Sequence, residues 1–181
     1  MTSFLVISSV LLWIIVLFNL LLTFALIKRN NAENGKEFDW LKIGSQAPDF
    51  VATDLKNETV TLDSFDGKTV LFVFISSNCR SCDALFPQLP EISLSVKKDN
   101  IELVLVSLSD NKNTVELVEI YGITLPVIIA PRHSSSFTID YKVGATPFFC
   151  LIDKDKCVQD TGYFSPEQNA MTLKWSFNLA Q

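Results

Sequence analysis

No Asp, Glu, Lys or Arg occurs between Phe4 and Ile27, and the chain has a single histidine and neither an internal repeat nor a low-complexity tract. Each absence excludes something. The charge-free run covers 24 positions dominated by Leu, Ile, Val, Phe and Trp. At ~1.5 Å per residue such a run reaches roughly 36 Å as a helix, enough to cross a bilayer core with some tilt. A cleaved signal peptide has a shorter apolar region, a positive start and a small-residue cleavage site. Here residues 1–3 lack Lys and Arg, and the run ends in Ala25-Leu26-Ile27-Lys28-Arg29, a poor cleavage site. No cysteine lies near it, which argues against a lipoprotein anchor. Residues 4–27 are therefore read as one N-terminal transmembrane helix, with residues 1–3 as a short tail. An excess of basic residues is also missing: residues 36–181 hold 13 Lys/Arg against 19 Asp/Glu, a net charge of −6. That balance excludes a nucleic-acid partner, whose phosphates call for a basic face, and gives no support for docking on anionic lipid.

Residues 28–42 begin polar and mixed in charge and read as a linker, leaving 43–181 as one domain. Within it Glu58–Leu62 alternates and is β-rich, and Asp66-Gly67-Lys68 signals a turn before Thr69–Ser76, an apolar run suited to a buried central strand. Cys79–Val96 fits a helix with Leu85, Leu89, Ile92 and Val96 on one face and a kink at Pro87. A second buried strand follows at Ile101–Ser107, then a helix at Lys112–Tyr121 stopped by Gly122. Val127–Ala130 reads as a strand and Ser134–Tyr141 as a short helix. Phe148–Ile152 and Cys157–Thr161 flank a hairpin turn at residues 153–156, and Ser165-Pro166 opens a closing helix to Leu179. The expected class is α/β: a mixed central sheet flanked by helices.

The chemistry concentrates in Cys79-Arg80-Ser81-Cys82, placed just after a buried strand and at a helix start. The free amides and dipole of a first helical turn stabilise a thiolate, and Arg80 adds positive charge. In this geometry the first cysteine is exposed and attacks, while the second lies one turn on and resolves the mixed disulfide. A zinc site needs three or four ligands, and only Cys150, Cys157 and His133 remain to supply them. The spacing of Cys150 and Cys157 is unlike that of a zinc knuckle. On the hairpin pattern they share a face but are diagonally offset, which is unfavourable for a disulfide. Cys150 reads as a small buried hydrophobe and Cys157 as a free thiol or a structural partner. Downstream, Thr146-Pro147 immediately precedes a strand, a place where a proline can be cis.

Several motifs occur in a fixed order: Gly44-x-x-Ala47-Pro48-Asp49-Phe50, Val60-x-Leu62, Gly67-Lys68, Cys79-x-x-Cys82 with Phe86-Pro87, Tyr121-Gly122-Ile123, Thr146-Pro147 and Leu151-Ile152-Asp153-Lys154. Together they resemble the thioredoxin-like proteins, in particular the membrane-anchored TlpA/ResA branch. Val10-Leu11-Leu12-Trp13 and the segment Ser76–Pro87 are similar to MauD-type proteins, accessory factors of methylamine dehydrogenase maturation. The resemblance implies a thioredoxin-like fold and thiol–disulfide oxidoreductase activity, with Cys79 as nucleophile and Cys82 as resolving thiol. It also implies a cis Pro147 packed on the disulfide and a Thr146 backbone that pairs with substrate; Arg80 and Ser81 complete the supporting set. No dissociable cofactor and no metal are implied beyond the redox-active Cys79–Cys82 pair. The partners would be client disulfides or thiols and a membrane or extracytoplasmic dithiol that donates or accepts electrons.

Two departures stand out, Asn78 in place of a tryptophan before Cys79 and Asp83 in place of a basic residue after Cys82. An acid so close opposes the thiolate. Two other functions remain open. The Ala47–Phe50 opening also occurs in peroxiredoxins, and Ser76 stands three residues before Cys79, but Phe72 occupies the position of their proline. A Sco-type copper chaperone would pair two thiolates with a histidine, although its spacing is C-x-x-x-C and His133 falls early in the chain. Lys28 and Arg29 would keep the linker cytoplasmic by the positive-inside rule, whereas disulfide substrates persist in oxidising compartments. Two charges weigh less than the chemistry, and the expected location is the cell membrane, single-pass, with the redox domain extracytoplasmic.

Overall fold

The structure, a computed structural model, describes residues 7–8, 11–24 and 40–164. The chain divides between Asp39 and Trp40 into two compact units. In the first, residues 11–24 are helical and their large apolar side chains are exposed. The Thr23 hydroxyl donates to the Asn19 carbonyl at 2.8 Å, so that polar side chain is satisfied within the helix. Among the described residues no helix is long and apolar enough to cross a membrane. The expected span of 4–27 extends past the described helix at both ends, and most of the linker lies outside the described residues. So does the expected closing helix at 166–179.

The second unit is built on a seven-stranded mixed sheet of order β2-β1-β5-β4-β3-β6-β7. Its strands are β1 (Val51–Asp54), β2 (Thr59–Thr61), β3 (Thr69–Ile75), β4 (Ile101–Ser107), β5 (Val127–Ile129), β6 (Phe148–Ile152) and β7 (Val158–Tyr163). The helices are α1 (Arg80–Leu85), α2 (Leu89–Lys98), α3 (Asn111–Tyr121) and the single turn α4 (Phe137–Asp140). β4 runs parallel to β3 and β5, while β6 is antiparallel to β3 and β7.

Two-residue periodicity divides the core into two layers. Leu71, Val73 and Ile75 of β3 join Leu103 and Leu105 of β4 on the face that receives α1, α2 and α3. Phe72 and Phe74 point the other way, into an aromatic layer with Phe50, Phe137, Tyr141 and Phe148. Because both faces of β3 are covered, its sequence is a continuous apolar run rather than an alternation. From Val70 to Ile75 no side chain is more than 1% exposed. Close packing on both sides leaves such a strand little room to shift, so β3 is a rigid platform for the loop at its C-terminal end.

Several boundaries differ from the sequence expectation. The sequence pattern does not announce β1, which pairs antiparallel with β2 and, through Thr53 and Asp54, with Ile129 and Ile128 of β5. The Asp54 carboxylate accepts from the Lys56 and Glu58 amides at 2.8 and 2.9 Å and closes the turn between β1 and β2. β2 is shorter than Glu58–Leu62 because Leu62–Phe65 winds into a single 3-10 turn. The helix expected over Cys79–Val96 is two helices separated by a 3-10 turn at Phe86–Gln88. Pro87 and Pro90 each lack an amide hydrogen, and two such gaps so close together break a helix that one would only kink. The short helix expected over Ser134–Tyr141 shrinks to α4, and the last strand starts at Val158 and runs on to Tyr163. Gly122 does stop α3, adopting the left-handed conformation at φ 58°.

Candidate active site

β3 delivers the chain to the site at Ile75, and the loop 76–78 turns it into α1. The loop is tied to the end of β4: the Ser77 amide donates to the Ser109 hydroxyl at 2.9 Å, and the two hydroxyls are 2.9 Å apart. A buried hydroxyl pair beneath, Ser107 and Thr114 at 2.7 Å, fixes the same end of β4 to α3. Cys79 is the N-cap of α1, with extended backbone, and its sulfur accepts from the Cys82 amide at 3.1 Å. A first-turn N–H, shared with the Cys79 carbonyl at 2.9 Å, thus points at the Cys79 sulfur.

Cys79 and Cys82 are joined as a disulfide with their Cα atoms 5.2 Å apart. Cys79 is half-buried and Cys82 fully buried, so an incoming group reaches only the Cys79 sulfur. Thr146 and Pro147 come from the loop before β6, and the bond between them is cis. The Thr146 carbonyl oxygen lies 3.2 Å from the Cys79 sulfur. Pro147 is buried, and its carbonyl accepts from the Phe164 amide at 2.9 Å. Gly144 opens this loop where a Cβ would stand 2.9 Å from the Tyr163 hydroxyl, a close approach that only glycine permits without movement.

The structure thus brings Cys79, Cys82, Thr146 and Pro147 together. Arg80 and Ser81 are exposed on the first turn of α1. Asp83 is also exposed, and its carboxylate accepts from the Tyr121 hydroxyl at 2.9 Å. Neither that pair nor the Ser77–Ser109 pair is legible in the sequence; Tyr121 is noticeable there only as part of a motif. His133 is exposed in the loop after β5. Among the described residues no group of three or more His, Cys, Asp or Glu side chains is placed to hold a metal ion.

The other two cysteines are free thiols. Cys150 is buried on β6, opposite Phe72 of β3 and Thr161 of β7. Burial, and then the Asp160 carboxylate, push its thiol up to about 12 from an ordinary 9.0. Cys157 is half-buried just before β7 and accepts from the Gln46 side-chain amide at 3.3 Å. In the folded, reduced protein at a pH of about 8, iodoacetamide is expected to label Cys157 and leave Cys150 unmodified until denaturant is added. Peptide mass spectrometry reads both sites, and early labelling of Cys150 would contradict its burial. The same raised pKa carries a sign for stability. The unfolded thiol ionises near 9.0 and the folded one near 12, so Cys150 weakens the fold progressively as pH rises between those two values.

Residues 43–161 match the family model described as the AhpC/TSA family. The chain belongs to the AhpC/TSA family. Among curated relatives it is 35% identical over 114 residues to the thiol-disulfide oxidoreductase ResA of Geobacillus kaustophilus, covering 62% of this chain and 64% of that one. It is 32% identical over 116 residues to ResA of Bacillus anthracis, covering 64% and 66%. The matched part of the chain therefore spans a little under two thirds of these relatives' length. Among solved structures, the thioredoxin domain of a thiol-disulfide oxidoreductase from Bacteroides vulgatus superposes with a TM-score of 0.65 at 21% identity, covering 76% of this chain and 99% of that one. A thiol:disulfide interchange protein from Bacteroides sp. gives 0.65 at 22%, covering 78% and 93%. The fold is thioredoxin-like.

Proposed function

We propose that the chain is a membrane-anchored thiol–disulfide oxidoreductase that exchanges disulfides with protein clients outside the cytoplasmic membrane. The observation that carries this reading is the half-buried Cys79 at the N-cap of α1, bonded to a buried Cys82 and lying beside the Thr146 carbonyl. In the reducing direction the Cys79 thiolate attacks a client disulfide, forming a mixed disulfide and releasing one client sulfur as a thiolate that takes a proton. Cys82 then gives up its proton and attacks the Cys79 sulfur, which frees the second client sulfur and closes the internal disulfide. Two electrons pass to the client, and a membrane or extracytoplasmic dithiol returns them. The oxidising direction runs the same steps backwards. Thr146 presents backbone to an extended client segment, and Pro147 packs on the disulfide. Arg80 and Ser81 line the mouth of the site.

The curated ResA relatives support the activity, and the charge-free run from Phe4 to Ile27 supports the anchor. Similarity of residues 76–87 to MauD-type factors supports a dedicated client, one whose maturation needs a disulfide made or exchanged. The deciding experiment is equilibration of the full chain in detergent with glutathione buffers. A reversible two-electron couple that requires both Cys79 and Cys82 is expected. A potential near the ~−270 mV of thioredoxin assigns a reductant, and one near about −120 mV an oxidant. Absence of any such couple rejects the reading. For the anchor, a cysteine introduced in the linker at residues 28–42 should react with an impermeant thiol reagent in intact cells.

A further inference from the structure

Asp83 directly succeeds Cys82 and stands four positions after Cys79, in the first turn of α1. A carboxylate there suits the positive end of the helix but opposes a thiolate at Cys79. Its side chain is held. The Tyr121 hydroxyl, on the last residue of α3, donates to Asp83 Oδ1 at 2.9 Å. The Tyr121 ring is placed in turn by Phe86, with ring centroids 4.3 Å apart and planes at 43°. The hydrogen bond to Asp83 also holds the Tyr121 hydroxyl protonated to higher pH than usual. The exchange steps use neither residue, yet together they fix where the negative charge that follows Cys82 is held.

We propose that Tyr121 is a positioning residue for the redox pair, gripping the Asp83 carboxylate so that it opposes the Cys79 thiolate less. This rests on the thiol–disulfide exchange reading of the site. Two effects act in the same direction. The positive end of the hydroxyl dipole lies on the carboxylate and offsets part of its charge. The hydrogen bond also ties the carboxylate to α3, so it does not swing over the first turn of α1. Arg80, exposed in that turn, favours the thiolate through its opposite sign and is screened by solvent. Phe86 supplies the rigidity, because a ring packed on it keeps the hydroxyl aimed.

The test is the rate of iodoacetamide alkylation of Cys79 in the reduced full chain at fixed pH, read on the Cys79 peptide by mass spectrometry. Tyr121→Phe keeps the ring against Phe86 and removes only the hydroxyl. It is expected to slow alkylation about three- to tenfold, through a smaller thiolate fraction at Cys79. Asp83→Asn should speed it. In the Asp83→Asn background, adding Tyr121→Phe should change nothing, because the charge it manages is gone. Equal rates for wild type and Tyr121→Phe overturn the proposal, as does an equal slowing in both backgrounds, which marks a merely structural brace. Alkylation does not require the redox couple, so a failure of the exchange reading and a failure of this inference are separately visible.

Discussion

Changing Cys82 to serine is expected to leave the chain covalently joined to its client. Exchange needs two sulfurs with different duties, and the structure separates them by exposure. Cys79 is half-buried and within reach of another protein, whereas Cys82 is fully buried beneath it. Once Cys79 has formed a mixed disulfide, release depends on attack by Cys82, and a serine hydroxyl cannot make that attack at neutral pH. Cys82→Ser should therefore accumulate a high-mass adduct that is resolved by dithiothreitol on non-reducing gels. With Cys157 replaced by serine in both variants, to remove the other accessible thiol, Cys79→Ser should form none, because the sulfurs of Cys82 and Cys150 are both out of reach. The asymmetry between the two variants is the informative result. Adducts of equal amount from both would mean that Cys82 is accessible and that the assignment of roles is wrong. Mass spectrometry of the trapped adduct would also identify the client.

The largest stability effect is expected away from the redox pair, at Phe137. α4 has only four residues and cannot be stable by its own hydrogen bonds. It is held because Phe137 is fully buried and stacks on Phe50 at 3.9 Å with planes 10° apart. Edge contacts to Phe72 at 5.8 Å and Phe74 at 5.3 Å connect it to the central strand. Tyr141, at the end of the same turn, donates its hydroxyl to the Pro48 carbonyl at 2.9 Å. Phe137→Ala should cost about 3–5 kcal/mol, from lost transfer energy and the cavity left among rings that cannot close in. That is a large share of the roughly 5–15 kcal/mol that holds a domain together. Urea denaturation read by circular dichroism should show the midpoint fall sharply with little change in slope. A loss below about 1 kcal/mol would mean that the aromatic layer repacks, contrary to its tight geometry. Phe137→Leu, which retains most of the apolar volume, should lose much less.

Features that depend on residues close in the chain were legible in the sequence. The apolar runs of β3 and β4 announced buried strands, and both matched to within a residue. Gly122 announced the end of α3, and residues 153–156 the turn between β6 and β7. Cys79 and Cys82 declared their pairing by spacing, since two cysteines three apart at a helix start are brought together by the backbone itself. These are consequences of side-chain periodicity and of steric limits within a few residues. Other features required the folded chain. β1 carries no strong strand pattern and becomes a strand only because β2 and β5 offer it hydrogen-bonding edges. The break at residues 86–88 depended on two prolines acting together. The meeting of Cys79 with Thr146, of Ser77 with Ser109 and of Asp83 with Tyr121 joins residues 67, 32 and 38 positions apart. No local rule specifies such distances, because loop closure is decided by the packing of the whole sheet rather than by the residues that finally touch. The sequence alone marked Cys79 and Cys82 as a pair; the tertiary structure decided which cysteines are exposed and what surrounds them, because burial, charge and hydrogen bonding at a site act through space.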